Sequence, residues 1–181
     1  MKTNFAYKNY SDSLMVLGKK NGYQHLWKEA EAKSVAPFMQ FTFLNKQTFY
    51  TITSLQDDSV DVLLTRIGAH DPNFNLRREP AYIQRSFGKN KTMINFIEPH
   101  GDFSPVTEIA HDSYSFVSSI KKLRDDAQIT AIEIEYNHLP LRIIQCNRDF
   151  DRNATHVFEY DGRSQTFKGP YLITYNNQVI E

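Results

Sequence analysis

Residues 129–136 read Ile-Thr-Ala-Ile-Glu-Ile-Glu-Tyr, with apolar and charged side chains alternating strictly in the second half. Because successive side chains of a β-strand point to opposite faces, the last two isoleucines share one face and the two glutamates share the other. One face would meet a core and the other water, as is typical of antiparallel sheets. The turn residues Asn137-His-Leu-Pro140 lead into a second apolar run, Leu141–Cys146, so the pattern predicts two neighbouring strands.

Similar runs precede this stretch. Phe38–Leu44 and Thr48–Leu55 flank Asn45-Lys-Gln47, which predicts a hairpin with a three-residue loop. Val60–Ile67 predicts a further strand. A second hairpin is predicted from two runs that flank Gly88-Lys-Asn-Lys91, namely Ala81–Phe87 and Thr92–Ile97.

Further strands are expected on both sides of the opening stretch. Ser113–Ile120 alternates aromatic or apolar residues with serine, whereas Lys121–Asp126 has the mixed charge of a solvated loop. His156–Tyr160 and Tyr171–Tyr175 are predicted to pair, with Asp161-Gly162 as a turn signal.

One segment, Tyr23–Ser34, has helix-forming composition, although Leu26 and Trp27 could equally open a strand. The rest of the pattern predicts an all-β fold, an antiparallel β-sandwich with at most one short helix. No repeat or linker divides the chain, so residues 1–181 are predicted to form a single domain.

The composition limits which kinds of partner are expected for the chain. Lysine plus arginine and aspartate plus glutamate number 21 each, so the formal net charge is zero. This balance favours neither nucleic acid nor an anionic membrane as a partner, and any anion site must be local. The lone Cys146 excludes an internal disulfide, and its apolar surroundings favour a buried residue over a nucleophile. No apolar run approaches the ~18 residues of a transmembrane helix, and residues 1–10 lack a signal core.

The segment Gly68–Pro80 concentrates polar chemistry between two predicted strands. Arg77 and Arg78 form a candidate anion clamp, because guanidinium groups make planar, bidentate bonds to carboxylates and sulfates. The alternative is an ion pair with Glu79. His70 and Asp71 could supply two ligands to a zinc ion, with His100 or His111 as a third. The alternative there is a turn capped by Asp71 before Pro72.

His100 lies in the compact segment Ile97-Glu-Pro-His-Gly101. It could carry a proton near neutral pH. The alternative is a histidine that hydrogen-bonds a neighbouring loop.

Three segments together carry a family resemblance: Asn21–Ala30, Arg66–Pro80, and Phe96–Gly101 with Glu108 beyond it. In this order and spacing the chain, from about Asn4 to Tyr136, resembles part of the heparinase II/III-like polysaccharide lyases. Within that group it is most similar to the alginate and oligoalginate lyases of polysaccharide lyase family 17.

The resemblance implies a large parent enzyme with an N-terminal α/α toroid followed by a β-region that ends in a sandwich. Such enzymes cleave uronic-acid polysaccharides by β-elimination. One group neutralises the C5 carboxylate, a Tyr or His base removes the C5 proton, and an acid protonates the departing O4. The implied partners are an acidic polysaccharide or oligosaccharide and the toroid and β-region of the parent. A bacterial parent in the periplasm or outside the cell is compatible with this.

The sequence departs from the full family pattern. It has no counterpart of the toroid with its Asn, His and Tyr, and His70-Asp71 does not match the family's metal motif. No catalytic residue and no metal ligand is therefore assigned, and no cofactor is expected in this chain, although the parent family can bind zinc outside this region. The expected substrate-binding residues are Arg77, Arg78 and His100. We expect the chain to be the C-terminal β-sandwich of a polysaccharide lyase. By itself this β-sandwich is expected to lack a complete active site. The alternatives are a stand-alone binding module for acidic glycans or a structural domain that braces the toroid.

Overall fold

The computed structural model describes residues 6–9, 15–33, 37–56, 60–69 and 79–181. Within this part of the chain the only helix is a 3₁₀ helix, Tyr23–His25, and no helix is long and apolar enough to cross a membrane. The strands are β1 (Ala6–Asn9), β2 (Met15–Val16), β3 (Leu26–Lys33), β4 (Phe38–Asn45), β5 (Thr48–Leu55), β6 (Val60–Ile67), β7 (Pro80–Ser86), β8 (Asn95–Ser104), β9 (Ile109–His111), β10 (Val117–Asp125), β11 (Ile129–Tyr136), β12 (Leu139–Cys146), β13 (Thr155–Tyr160), β14 (Arg163–Lys168), β15 (Tyr171–Tyr175) and β16 (Gln178–Val179). Every pairing among them is antiparallel, which confirms the predicted all-β class.

The chain divides into two compact units that interleave along the sequence. Unit 1 comprises Met1–Pro37 and Gln56–Lys91, and unit 2 comprises Phe38–Leu55 and Thr92–Glu181. The expectation of a single domain over residues 1–181 stays a prediction.

Unit 1 contains one sheet in the order β1-β3-β6-β7, with β2 also paired to β3. The helix suggested for Tyr23–Ser34 is wrong beyond its first turn, because Leu26–Lys33 forms strand β3. Ala30 and Ala32 are both buried, and this spacing of two residues suits a strand. Charged and small residues alternate with this period over Glu29–Lys33, whereas the composition of the segment is helix-forming.

Unit 2 is built in layers. One sheet, which we call sheet 2, has the order β4-β5-β8-β9, and another, sheet 3, has the order β10-β11-β12-β15-β16. Side chains from both sheets meet in an apolar core around Ile120 and Ile134, to which Phe38, Leu55 and Phe96 of sheet 2 contribute. The opposite face of sheet 3 packs against the β13–β14 hairpin in a second core that includes Ala131, Ile144, Phe158 and Phe167. Two sheets face to face across an apolar core make unit 2 a β-sandwich.

The alternation in residues 129–136 is confirmed with a refinement. Ile132 and Ile134 face the core shared with sheet 2. Ile129 and Ala131 lie on the face that carries Glu133, and they belong to the second core. Glu133 itself accepts from Arg142 Nε (2.6 Å) and pairs with Lys121 Nζ (2.7 Å), so the charged end of this face is neutralised between strands.

Three hairpins of unit 2 close through two-residue turns in which both central residues have positive φ. These turns are Asn137-His138 (49° and 62°), Asp161-Gly162 (51° and 70°) and Asn176-Asn177 (48° and 63°). Such turns match the right-handed twist of the flanking strands, and Asn, Asp and Gly tolerate them best. The turn signals read from the first two pairs are therefore confirmed.

Both hairpin predictions in residues 38–97 need correction. Ala81–Phe87 and Thr92–Ile97 do not form a hairpin, since β7 pairs with β6 and β8 pairs with β5. The first hairpin does form, but its loop is Lys46-Gln47, with Asn45 paired to Thr48. A short polar segment such as 88–91 has the same sequence character whether it forms a hairpin turn or connects strands of different sheets.

Two further assignments shift along the chain. Strand β10 begins only at Val117 and continues through Lys121–Asp125, which was expected to be a loop. Its charged residues are compatible with a strand because β10 lies at the edge of sheet 3, where charge prevents pairing with other chains. His156–Tyr160 pairs with β14 rather than with Tyr171–Tyr175.

Candidate functional site

The arginine clamp falls outside the described residues. Arg77 and Arg78 lie in residues 70–78, as do His70 and Asp71 of the suggested metal pair. Their predicted contacts with substrate or metal stay predictions. His100, the third residue of the predicted substrate-binding set, lies in unit 2 on strand β8.

His100 is 6% exposed, and both of its ring nitrogens have partners. Nδ1 lies 2.8 Å from the carbonyl oxygen of Asp112 and therefore donates to it. In the neutral ring Nε2 is then an acceptor, so Thr51 Oγ1, at 2.7 Å, donates to it. Thr42 Oγ1 lies 2.7 Å from Thr51 Oγ1 and supplies the next donor. The alternative of a histidine that hydrogen-bonds a neighbouring loop is what the structure shows.

Glu98 lies two residues before His100 on the same face of β8 and is 2% exposed. Its Oε2 accepts from Ser115 Oγ (2.5 Å), and its Oε1 accepts from the backbone N–H of Phe116 (3.1 Å). Ser115 Oγ in turn accepts from the N–H of Val117 at 3.0 Å. A buried carboxylate is costly unless hydrogen-bonded, and here both oxygens have donors.

Two aromatic rings contact the imidazole of His100. Phe49 stacks on His100, with centroids 6.1 Å apart and an 18° interplanar angle, and Phe116 meets the imidazole edge-on at 6.4 Å. Phe116 also meets Tyr136 edge-on at 6.2 Å. Burial, and after it the negative charge of Glu98, raises the pKa of Tyr136, so its phenol is neutral at physiological pH.

Gly101 completes the arrangement. It is the extra residue of a bulge in β8, where Phe49 pairs with His100 and Thr48 with Asp102. Its φ is +48°, and an added Cβ would lie 2.2 Å from the carbonyl oxygen of His111 and 2.3 Å from that of Asp112. Only glycine combines this conformation with such a close approach of backbone to backbone.

Taken together, Glu98, His100 and Gly101 fix the course of the chain that joins β8 to β10. We call residues 105–116 the anchored segment; it includes β9. Sequence reasoning selected His100 and Gly101 but missed Glu98, Ser115 and Thr51. The i, i+2 spacing of Glu98 and His100 was the available signal, since it places both on one face of a strand.

The remaining candidates are His111, a metal site and Cys146. His111 Nδ1 lies 3.4 Å from Asp102 Oδ1, and both side chains are more than half exposed. Among the residues that the structure describes, no three His, Cys, Asp or Glu side chains are grouped to hold a metal ion. Cys146 is 2% exposed in an apolar core, and burial raises the pKa of its thiol, so it remains protonated and unreactive near neutral pH.

Comparison with known proteins gives two relatives. The chain is 37% identical over 134 residues to an alginate lyase of Stenotrophomonas maltophilia, across 73% of this chain and 18% of that protein. It is 32% identical over 128 residues to an exo-oligoalginate lyase of Saccharophagus degradans, across 68% of this chain and 17% of that protein. No protein-family model matches the chain. The chain thus spans less than a fifth of the length of these relatives, and the expected resemblance to alginate and oligoalginate lyases is confirmed.

Proposed function

Because the chain is related to a segment of alginate and oligoalginate lyases, we propose that it is a non-catalytic β-domain of a polysaccharide lyase. The identity of 37% over 134 residues carries this proposal. The parent enzyme would cleave a uronic-acid polysaccharide by β-elimination, with this domain in its C-terminal part. Alginate is preferred over heparin-like polymers because both relatives are named for alginate.

The geometry of unit 2 supports a non-catalytic role for this domain. β-Elimination needs a base within hydrogen-bond reach of the C5 proton and a group that neutralises the C5 carboxylate. The ring nitrogens of His100 bind Thr51 and Asp112, and the carboxylate of Glu98 binds Ser115 and Phe116. We propose that proton transfer, and any zinc, lie in the toroid and β-region of the parent.

The remaining contribution of this domain is to contact the acidic polysaccharide and brace the cleft. Arg77 and Arg78 remain the proposed anion clamp, because guanidinium groups form bidentate hydrogen bonds with carboxylates such as those of uronates. His100 is proposed to act through the anchored segment, since its ring is buried.

An experiment on the 181-residue chain tests both halves of the proposal. The chain is incubated with alginate and, in parallel, with heparin, and the absorbance of unsaturated uronate is followed over time. Binding of an alginate tetrasaccharide is measured by calorimetry on the same preparation. Binding without any rise in absorbance is the expected result. Sustained turnover by this chain would overturn the non-catalytic assignment, and an absence of binding would overturn the polysaccharide contact.

A second candidate is a purely structural domain, and one observation favours it. Sheet 2 has an outer face on which Phe43, Tyr50 and Pro99 lie in cross-strand register, next to Ile52 and Ile97. Ile97 is 61% exposed and Phe43 38% exposed. Exposed apolar side chains grouped on one face are typical of interaction surfaces. Under this reading the chain binds a hydrophobic dye, Ile97→Lys reduces that binding, and alginate oligomers do not bind.

A further inference from the structure

The anchored segment is fixed from beneath by side chains remote in sequence. His100 Nδ1 donates to the carbonyl of Asp112, and Glu98 accepts from the hydroxyl of Ser115 and the backbone N–H of Phe116. Both ionisable side chains are almost fully buried. Two buried polar groups are therefore used to fix the backbone of a surface connection rather than to fill a core.

Gly101 adds a third fixed point, because the bulge brings its Cα against the carbonyls of His111 and Asp112. Bulges of this kind re-aim the residues that follow them. The backbone immediately before and after residues 113 and 114 is thus constrained by Asp112 on one side and Ser115 on the other.

Between these points lies Tyr114, a residue that is 85% exposed to solvent. A tyrosine offers a flat apolar ring and a hydroxyl with only two rotatable side-chain bonds, so ordering it on a ligand loses little entropy. When the backbone beneath the ring is already fixed, the cost of binding falls further. A lone exposed tyrosine is common on protein surfaces. The buried supports under this one distinguish it.

We propose that Tyr114 is a ligand-contacting residue, with its ring against the apolar face of a uronate pyranose, and that Glu98 and His100 are positioning residues for it. This inference rests on the proposed function and names the part of unit 2 that meets the polysaccharide. The hydroxyl of Tyr114 can donate to a sugar carboxylate or hydroxyl while the ring covers the C–H face.

The test compares two exposed aromatic residues of unit 2. The 181-residue chain, labelled with ¹⁵N, is titrated with an alginate tetrasaccharide and the dissociation constant is read from amide shifts. Tyr114→Ala is expected to weaken binding about tenfold, and Tyr114→Phe, which keeps the ring, by about threefold or less. Phe150→Ala is the matched control, because Phe150 is 63% exposed on another connection and should leave the constant unchanged.

The positioning role has its own readout. His100→Ala removes the donor to Asp112, whereas the amide of His100→Asn can replace Nδ1–H. Binding should weaken in the Ala variant and recover in the Asn variant, while the amide signals of β11 show that unit 2 remains folded in both. Equal binding by the Ala and Asn variants would contradict the positioning role.

The outcomes separate the inference from the proposal on which it rests. If the wild-type chain binds the tetrasaccharide and Tyr114→Ala binds it equally well, the inference is overturned while the proposed function stands. If the wild-type chain does not bind, the polysaccharide contact fails and the inference fails with it. Loss of binding in Tyr114→Ala with retention in Phe150→Ala supports both.

Discussion

Two exposed connections of unit 2 are built in opposite ways. The anchored segment, residues 105–116, is fixed by Glu98 and His100, whose side chains are buried beneath it. Residues 148–154, in the connection from β12 to β13, are shaped mainly by near neighbours: Asp149 Oδ1 accepts from the N–H of Asp151 (3.0 Å), and Asp151 Oδ1 accepts from that of Asn153 (2.9 Å). One backbone bond from a distant residue, Gly169 N–H to the carbonyl of Ala154 (3.0 Å), ends the connection. Local side-chain bonds of this kind shape a turn without reference to the rest of the fold. The two connections are therefore similarly exposed to solvent, but they depend to different degrees on contacts with distant parts of the chain.

The largest effect is expected from Gly101→Ala. An alanine at φ +48° is strained, and its Cβ would collide with two backbone carbonyls, so the free energy of unfolding should fall by ~2–4 kcal/mol. The measurement is urea unfolding followed through amide signals of β11.

Gly162→Ala is the control for this change. Its φ is +70°, but nothing lies within 4 Å of the added Cβ, so only the backbone strain of ~1–2 kcal/mol applies. Equal losses in the two variants would show that the close approach beneath the anchored segment does not contribute.

A smaller effect is expected from Glu98→Gln. The amide keeps the shape of the side chain but turns one acceptor into a donor that faces Ser115 or the N–H of Phe116, which costs ~1–3 kcal/mol. Glu159→Gln, on an exposed position of β13, is the matched control and should change stability little. Unchanged stability of Glu98→Gln would show that the buried carboxylate does not stabilise the anchored segment.

The β10–β11 turn should respond to acid. Hydrogen bonds from the backbone N–H groups of Ile129 and Gln128, and from Arg124, lower the pKa of Asp126 from 3.8 to about 2. Because the folded pKa lies below the unfolded one, the stabilisation is present above about pH 4 and is lost as the pH falls towards 2. The carboxyl shift of Asp126, titrated by NMR, should show this pKa, and a midpoint near 3.8 would contradict it.

The smallest effect is expected from Asp151→Ala. It removes one exposed bond to Asn153, so stability should fall by less than about 1 kcal/mol. Only amides of residues 148–154 should exchange faster with solvent. Faster exchange in the anchored segment as well would mean that the two connections are coupled.

The sequence identified much of the candidate site but not its purpose. His100 and Gly101 were selected from a five-residue segment, and the alternative of a loop contact proved correct for His100. The partners Thr51 and Asp112 lie 49 and 12 residues away from it, and no local pattern links them. Exposure of Tyr114 is likewise a property of the folded surface.

What the sequence determined by itself is what near neighbours decide. Alternation in residues 129–136 predicted the two faces of β11, and Asn137-His138 and Asp161-Gly162 predicted turns at these positions, because pleat and turn conformation depend on adjacent residues. Tertiary structure decided that β7 pairs with β6 and β8 with β5, and that Glu98 and His100 lie under a surface segment. These choices depend on which apolar faces can be buried together and which buried polar groups find partners, and both are settled only when distant parts of the chain meet.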